Sequence, residues 1–145
     1  MASSERWRNN WLAVAAPGAA QVDLGRPFTR RDHGARRVSE LATGSPVVVR
    51  ASAPGATRRC RRFATRAGIG VDGVYLAFPS ATSPAYLVED AAAPIRLFVS
   101  SVLVTPPRTP LSTPIEALLS LVRIVKPWRL VRAAAPGCVV VGTRT

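Results

Sequence analysis

The sequence predicts a single layered α/β domain in which helices pack on a small, mainly parallel sheet. Short apolar runs rich in β-branched residues alternate along the chain with stretches whose apolar residues recur about every 3.6 positions. The chain has 145 residues, which is enough to bury a core without disulfides or metals. A hydrophobic fraction of 48% also argues against disorder, in spite of a net charge of +12.

The first third of the chain supplies short strands and one helix. The apolar stretches WLAVAA and QVDLG are predicted as strands near the start. A helix over residues 34–43 follows, because Val38, Leu41 and Ala42 lie on one helical face. Gly44 is expected to end this helix as a C-terminal cap.

The tract GSPVVVRAS predicts a strand in the middle of the sheet. Residues 47–49 form a continuous β-branched run between turn formers, which is the pattern of a strand buried on both faces. These three valines are therefore assigned to the core.

An arginine-rich helix is predicted directly after this strand, starting near Gly55. Its apolar residues form one narrow stripe made of Cys60, Phe63, Ala64 and Ala67. The remaining circumference is basic and consists of Arg58, Arg59, Arg61, Arg62 and Arg66. A helix lying on a sheet directs such residues into water, so all five side chains are expected to be solvated.

Further strands are predicted in the second half of the chain. GVYLAFPS supplies a strand over residues 71–78 that Pro79 stops, and AYLVED adds a short extended piece. CVVVGT, residues 138–143, is the last strand. Leu76 and residues 139–141 are expected in the core.

A helical insertion is predicted over residues 91–134, before the last strand. Pro94 fits the first turn of a helix that includes IRLFVSSVLV. Residues 113–116 form a T-x-x-E capping box that starts a second helix. Pro127 breaks or kinks that helix.

The end of this insertion, KPWRLVR, mixes two kinds of residue: the basic Lys126, Arg129 and Arg132, and the apolar Trp128, Leu130 and Val131. Such a composition suits the boundary between lipid head groups and acyl chains. An anionic membrane contact through Lys126, Trp128, Arg129 and Arg132 is one interpretation. The other is a helix packed on the core with its basic end in water.

The charge of the chain points to polyanionic partners as a class. The sequence pI is about 11.7, and nearly all of the positive charge is arginine, since Lys126 is the only lysine. A GC-rich genome produces the same bias. Nucleic acid is the less favoured partner, because the arginines are spread along the chain without interleaved aromatic residues.

No metal site and no disulfide framework is predicted. Cys60 and Cys138 lack the C-x-x-C spacing of zinc or redox sites and are expected to be buried apolar residues. His33 is the only histidine, which excludes a multi-histidine site within one chain. The adjacent Glu89 and Asp90 are interpreted as a helix cap.

Common catalytic and targeting motifs are missing from the sequence. It has no Walker A loop and no G-x-S-x-G elbow. No run approaches the length of a spanning helix, and the apolar run near the start is short for a signal peptide. We therefore expect a cytoplasmic protein.

The order of elements resembles the C-terminal half of a class I S-adenosylmethionine-dependent methyltransferase. The resemblance covers residues 34–79 and 138–144, with an A-G-hydrophobic turn at 67–69 leading to an aromatic-rich strand. It implies a Rossmann-like partial fold, a last strand that returns antiparallel, and inserted helices that shape a pocket for a small-molecule acceptor. The family's glycine-rich cofactor loop is echoed only by VDLG, residues 22–25, which continues as Arg26-Pro27-Phe28 where further glycines are expected.

The predicted function is that of a methyltransferase-like protein that is incomplete or lacks autonomous cofactor binding. S-adenosylmethionine is implied by the resemblance alone, and no catalytic or cofactor-binding residue is assigned. The alternative is a basic peripheral membrane- or nucleic-acid-binding module without catalysis.

Overall fold

The structure, a computed structural model, describes residues 14–25, 33–101 and 127–145. The strands in these ranges are β1 Ala20–Asp23, β2 Pro46–Ser52, β3 Ile69–Phe78, β4 Tyr86–Glu89 and β5 Gly137–Arg144. The helices in the same ranges are α1 His33–Ser39, α2 Ala56–Arg66, α3 Ala92–Ser101 and α4 Pro127–Ala134. The predicted α/β class is confirmed.

The five strands form one open, mixed sheet in the order β1-β2-β5-β3-β4. β1 and β2 are parallel, whereas β5 is antiparallel to both β2 and β3, and β4 is antiparallel to β3. The prediction of a mainly parallel sheet was wrong. β4 follows β3 after a connection too short for a crossover, and β5 inserts in the opposite direction between two strands that share one direction.

One face of the sheet carries the helices. Val47 and Val49 of β2 and Cys138 and Val140 of β5 belong to a core cluster with α1 and α2. Further along this face, Leu76 of β3 packs with α3 and α4. On the other face, Val48, Ala77 and Val139 form a separate buried cluster. The expected core positions 47–49, 76, 139 and 140 are buried, whereas Val141 is half-buried.

The orientation of α2 is confirmed, but one of its arginines is not solvated. Cys60 and Ala64 are buried against the sheet and Phe63 is half-buried. Arg59 is half-buried, and its guanidinium donates to the carbonyl oxygens of Leu24 (2.7 Å), Gly25 (3.0 Å) and Ser52 (3.1 Å). These carbonyls lie where β1 and β2 end, so Arg59 satisfies backbone groups that the sheet leaves unpaired.

Arg144 has a similar structural role at the end of α1. Its guanidinium donates to the carbonyls of Val38 (2.9 Å), Ser39 (2.5 Å) and Leu41. The helix ends at Ser39, earlier than predicted, and Gly44 lies beyond it with a φ of 85°. The Arg144 guanidinium, from β5, thus donates to carbonyls at the end of this helix, where a glycine cap was predicted.

The two cysteines are buried and face each other across the interface of α2 and β5. Cys60 Sγ donates to the carbonyls of Val49 and Cys138, both at 3.8 Å. Its hydrogen bond with Cys138, together with burial, raises the pKa of the Cys60 thiol above its ordinary range. Cys60 therefore stays protonated and acts as a packing residue.

Several predictions lie wholly or partly outside the described residues. These are the first part of WLAVAA, the capping box at 113–116 and Lys126. Residues 14–16, at the end of WLAVAA, form a turn, so the strand prediction was wrong there. Within the described ranges, no helix combines the length and the apolar character needed to cross a membrane.

Gly137 in β5 is expected to tolerate no side chain. A Cβ at this position would lie 2.5 Å from the backbone nitrogen of Ala81, which cannot rotate away. We expect Gly137→Ala to lower the free energy of unfolding in urea by about 1–3 kcal/mol. Gly70→Ala is the control, because its Cβ would meet a flexible side-chain end, Thr145 Cγ2, at 3.1 Å. Equal losses in both variants would contradict this account of Gly137.

Candidate functional site

A cleft with a volume of about 650 Å³ lies between α2 and α4. Its lining includes six arginines, namely Arg58, Arg61, Arg62 and Arg66 from α2 and Arg129 and Arg132 from α4. The concentration of guanidinium groups from two helices makes this cleft the candidate site.

The apolar faces of the two helices place the arginines there. Cys60 and Ala64 direct one side of α2 to the sheet, so most of its basic residues lie on the other sides. In α4, Trp128 and Val131 pack against the cluster around Leu76. Arg129 and Arg132 then line the cleft opposite α2.

Asp90, between β4 and α3, connects the two helices. One carboxylate oxygen accepts from Arg61 Nη2 at 3.0 Å, and the other accepts from Arg132 Nε at 2.5 Å. The Asp90 side chain is 1% exposed, whereas those of Arg61 and Arg132 are 55% and 38% exposed. The expected helix cap was therefore wrong for Asp90, because both of its oxygens are directed to guanidinium groups.

The charge of the cleft is only partly neutralised. Among the described residues, Arg58, Arg62, Arg66 and Arg129 form no ion pair with a carboxylate. Arg129 lies over the ring of Trp128, with the guanidinium carbon 5.1 Å from the ring centroid. An anion in the cleft would therefore contact guanidinium groups whose N–H donors are not used by a carboxylate in the described ranges.

Thr57 contributes a buried hydroxyl to the same lining. The residue is 9% exposed, and Oγ1 has no oxygen or nitrogen partner in the described part of the chain. Its interaction with the Cys138 thiol is a weak one. Because Oγ1 is fully buried and lies beside Cys138, it is closed to a ligand in the cleft.

The predicted membrane-contact residues are distributed as follows. Arg129 and Arg132 line the cleft, and Trp128 is half-buried against the core cluster, as the alternative interpretation of this segment expects. Leu130 is 50% exposed. Of the apolar residues in the segment, Leu130 is the one available to a membrane, and the membrane contact stays a prediction.

The VDLG turn is closed by interactions within the protein. Gly25 N–H donates to Asp23 Oδ1 at 2.8 Å, and Asp23 Oδ2 lies 3.6 Å from Arg50 Nη2. Arg59 occupies the carbonyls of Leu24 and Gly25. Because the N–H groups of Leu24 and Gly25 and the Asp23 carboxylate already have partners within the protein, this turn does not fit S-adenosylmethionine.

The sequence analysis did not connect Thr57, which lines the cleft, or Asp90, which pairs with two of its arginines, with a site. Asp90 follows an apolar strand directly, but nothing in the sequence connects it with Arg61 or Arg132. Within the described ranges, no three side chains of the His, Cys, Asp and Glu types come together as metal ligands would. The chemistry that this arrangement offers is anion binding.

The Asp90 ion pairs are expected to stabilise the fold measurably. Asp90→Asn removes the charge between two guanidinium groups and leaves a single acceptor oxygen. Because Arg61 and Arg132 can still reach water, we expect a loss of about 1–3 kcal/mol of unfolding free energy, less than for a fully buried pair. Asp72→Asn, at an exposed position, is the control for urea denaturation. No loss in Asp90→Asn would show that the pairs contribute nothing.

Comparison of the chain with protein-family models, with curated proteins and with solved structures found no match.

Proposed function

We propose that the chain is a cytoplasmic, methyltransferase-like protein that does not bind S-adenosylmethionine by itself. The direction and order of the strands support this proposal. β1, β2 and β3 run in one direction, with α1 and α2 as the connecting helices on one face, and β5 lies antiparallel between β2 and β3. A last strand that returns antiparallel is what the resemblance implies.

Two further features agree with this ancestry. β3 carries the aromatic residues Tyr75 and Phe78, as expected for the strand after the crossover helix. The helices α3 and α4 come before the last strand in the chain and pack on the same face as α2. In a methyltransferase-like protein, helices in this position would shape the site for a small-molecule acceptor.

The proposed lack of autonomous S-adenosylmethionine binding rests on the VDLG turn. Asp23 and the carbonyls of Leu24 and Gly25 already have partners in the protein, so the turn offers no open cradle. A chain with this turn would need a partner or a further segment to hold the cofactor.

Titration calorimetry with S-adenosylmethionine tests this proposal. We expect no saturable heat for the folded chain at concentrations up to about 1 mM, which corresponds to a binding free energy weaker than about 4 kcal/mol. Micromolar binding of S-adenosylmethionine would contradict the proposal that the chain does not bind it by itself. In that event, loss of binding in Asp23→Ala would locate the cofactor at the VDLG turn, and unchanged binding would place it elsewhere.

A second candidate function is that of a basic peripheral membrane- or nucleic-acid-binding module without catalysis. The observation that favours it is the set of arginines on α2 and α4 without carboxylate partners in the described ranges. Basic residues near an anionic surface contribute about 1 kcal/mol each, so attachment would be weak and salt-sensitive.

Co-sedimentation with phosphatidylserine vesicles and retention on heparin test the second candidate. We expect Lys126→Glu with Arg129→Glu to reduce vesicle binding strongly at low salt, because both residues belong to the basic segment KPWRLVR. This pair leaves Arg132 in place, so the contact with Asp90 is kept. Arg36→Glu with Arg37→Glu, on the exposed side of α1, is the charge-matched control.

Binding to heparin without binding to vesicles would favour nucleic acid over membrane. If the wild type binds neither heparin nor vesicles at low salt, the proposal of a basic binding module is contradicted.

A further inference from the structure

We propose that the cleft between α2 and α4 binds the phosphate group of a phosphorylated organic ligand. This inference rests on the second candidate function, the basic binding module, and names the chemistry of its ligand. It does not depend on the methyltransferase ancestry. It uses guanidinium groups from both helices, which the fold brings together across an open space.

The first support for the site is its preorganisation. Asp90 holds Arg61 and Arg132 from opposite sides of the cleft, but it uses one nitrogen of each guanidinium. The remaining N–H groups of both side chains stay available as donors. Because a buried carboxylate fixes the two arginines, a ligand would not have to bear the full entropic cost of ordering them.

The second support is the uncompensated charge around this pair. Arg58, Arg62, Arg66 and Arg129 line the cleft with no carboxylate partner in the described part of the chain. Like charges that face one another across a cleft repel, and a bound polyanion would relieve that repulsion. A guanidinium presents paired donors that match the oxygens of a phosphate group.

The third support is the shape and the lining of the cleft. A volume of about 650 Å³ is much larger than a phosphate ion and is typical of a site for an organic ligand. The uncharged part of the cleft lining, which includes Gly55, Thr65 and Ala133, can contact the rest of such a molecule. The ligand is therefore an organic molecule with a phosphate or diphosphate group, either free in solution or as a lipid head group.

Calorimetric titration with inorganic pyrophosphate, and co-sedimentation with phosphatidylcholine vesicles containing phosphatidic acid, test the site. The cleft variant combines Arg58→Gln, Arg62→Gln and Arg129→Gln, none of which forms an ion pair with a carboxylate in the described residues. The control variant combines Arg36→Gln, Arg37→Gln and Arg96→Gln, three exposed arginines outside the cleft that give the same change in charge.

We expect the affinity for pyrophosphate to fall about tenfold or more in the cleft variant and less than about twofold in the control. Competition between pyrophosphate and the vesicles would show that one site takes both sources. If the cleft variant loses binding of only one probe, the ligand of the site is of that kind, either a free phosphate compound or a lipid head group. Thermal unfolding verifies that both variants are folded, and Arg62→Gln with Arg66→Gln is the substitute if the triple variant is not.

Three results would overturn the proposal: no binding of either probe by the wild type, equal losses in the cleft and control variants, or equal binding of succinate and pyrophosphate. The second candidate function can fail separately. In that case the protein would bind neither heparin nor phosphatidylserine vesicles but would still bind pyrophosphate.

Discussion

The pairing of β5 with both β2 and β3 is the interaction on which the rest of the structure depends. The last strand of the chain occupies the centre of the sheet and is hydrogen-bonded along its length on both sides. Without it, β1 and β2 would be separated from β3 and β4. The alternating side chains of β5 also supply a core cluster on each face of the sheet, with Val140 on the helix-bearing face and Val139 on the other.

This central position has consequences for the helices. Since β2 and β3 are two positions apart in the sheet, α2 spans the width of β5 and packs on it through Cys60. The chain then has to return to β5 from the far edge, and α4 is the last helix on that path. The return brings α4 near α2 and opens the arginine-lined cleft between them.

The arginines at the element ends and around the cleft, within the described ranges, have three physical roles that their spacing does not distinguish. Arg59 and Arg144 donate to backbone carbonyls that the ends of β1, β2 and α1 leave unpaired. Arg61 and Arg132 neutralise the buried Asp90. The remaining arginines of the cleft have no carboxylate partner among the described residues, and these are the groups that the proposed anion site would use.

The sequence by itself determined the type and approximate place of the described elements, because hydrophobic periodicity is a local property. The valine runs of β2 and β5 and the apolar stripe of α2 indicate which side chains are buried, without reference to the rest of the chain. Tertiary structure decided strand direction, since a buried strand has the same apolar pattern in a parallel and in an antiparallel pair. It also decided the site, because Arg61, Asp90 and Arg132 are far apart in sequence and meet only in the folded chain.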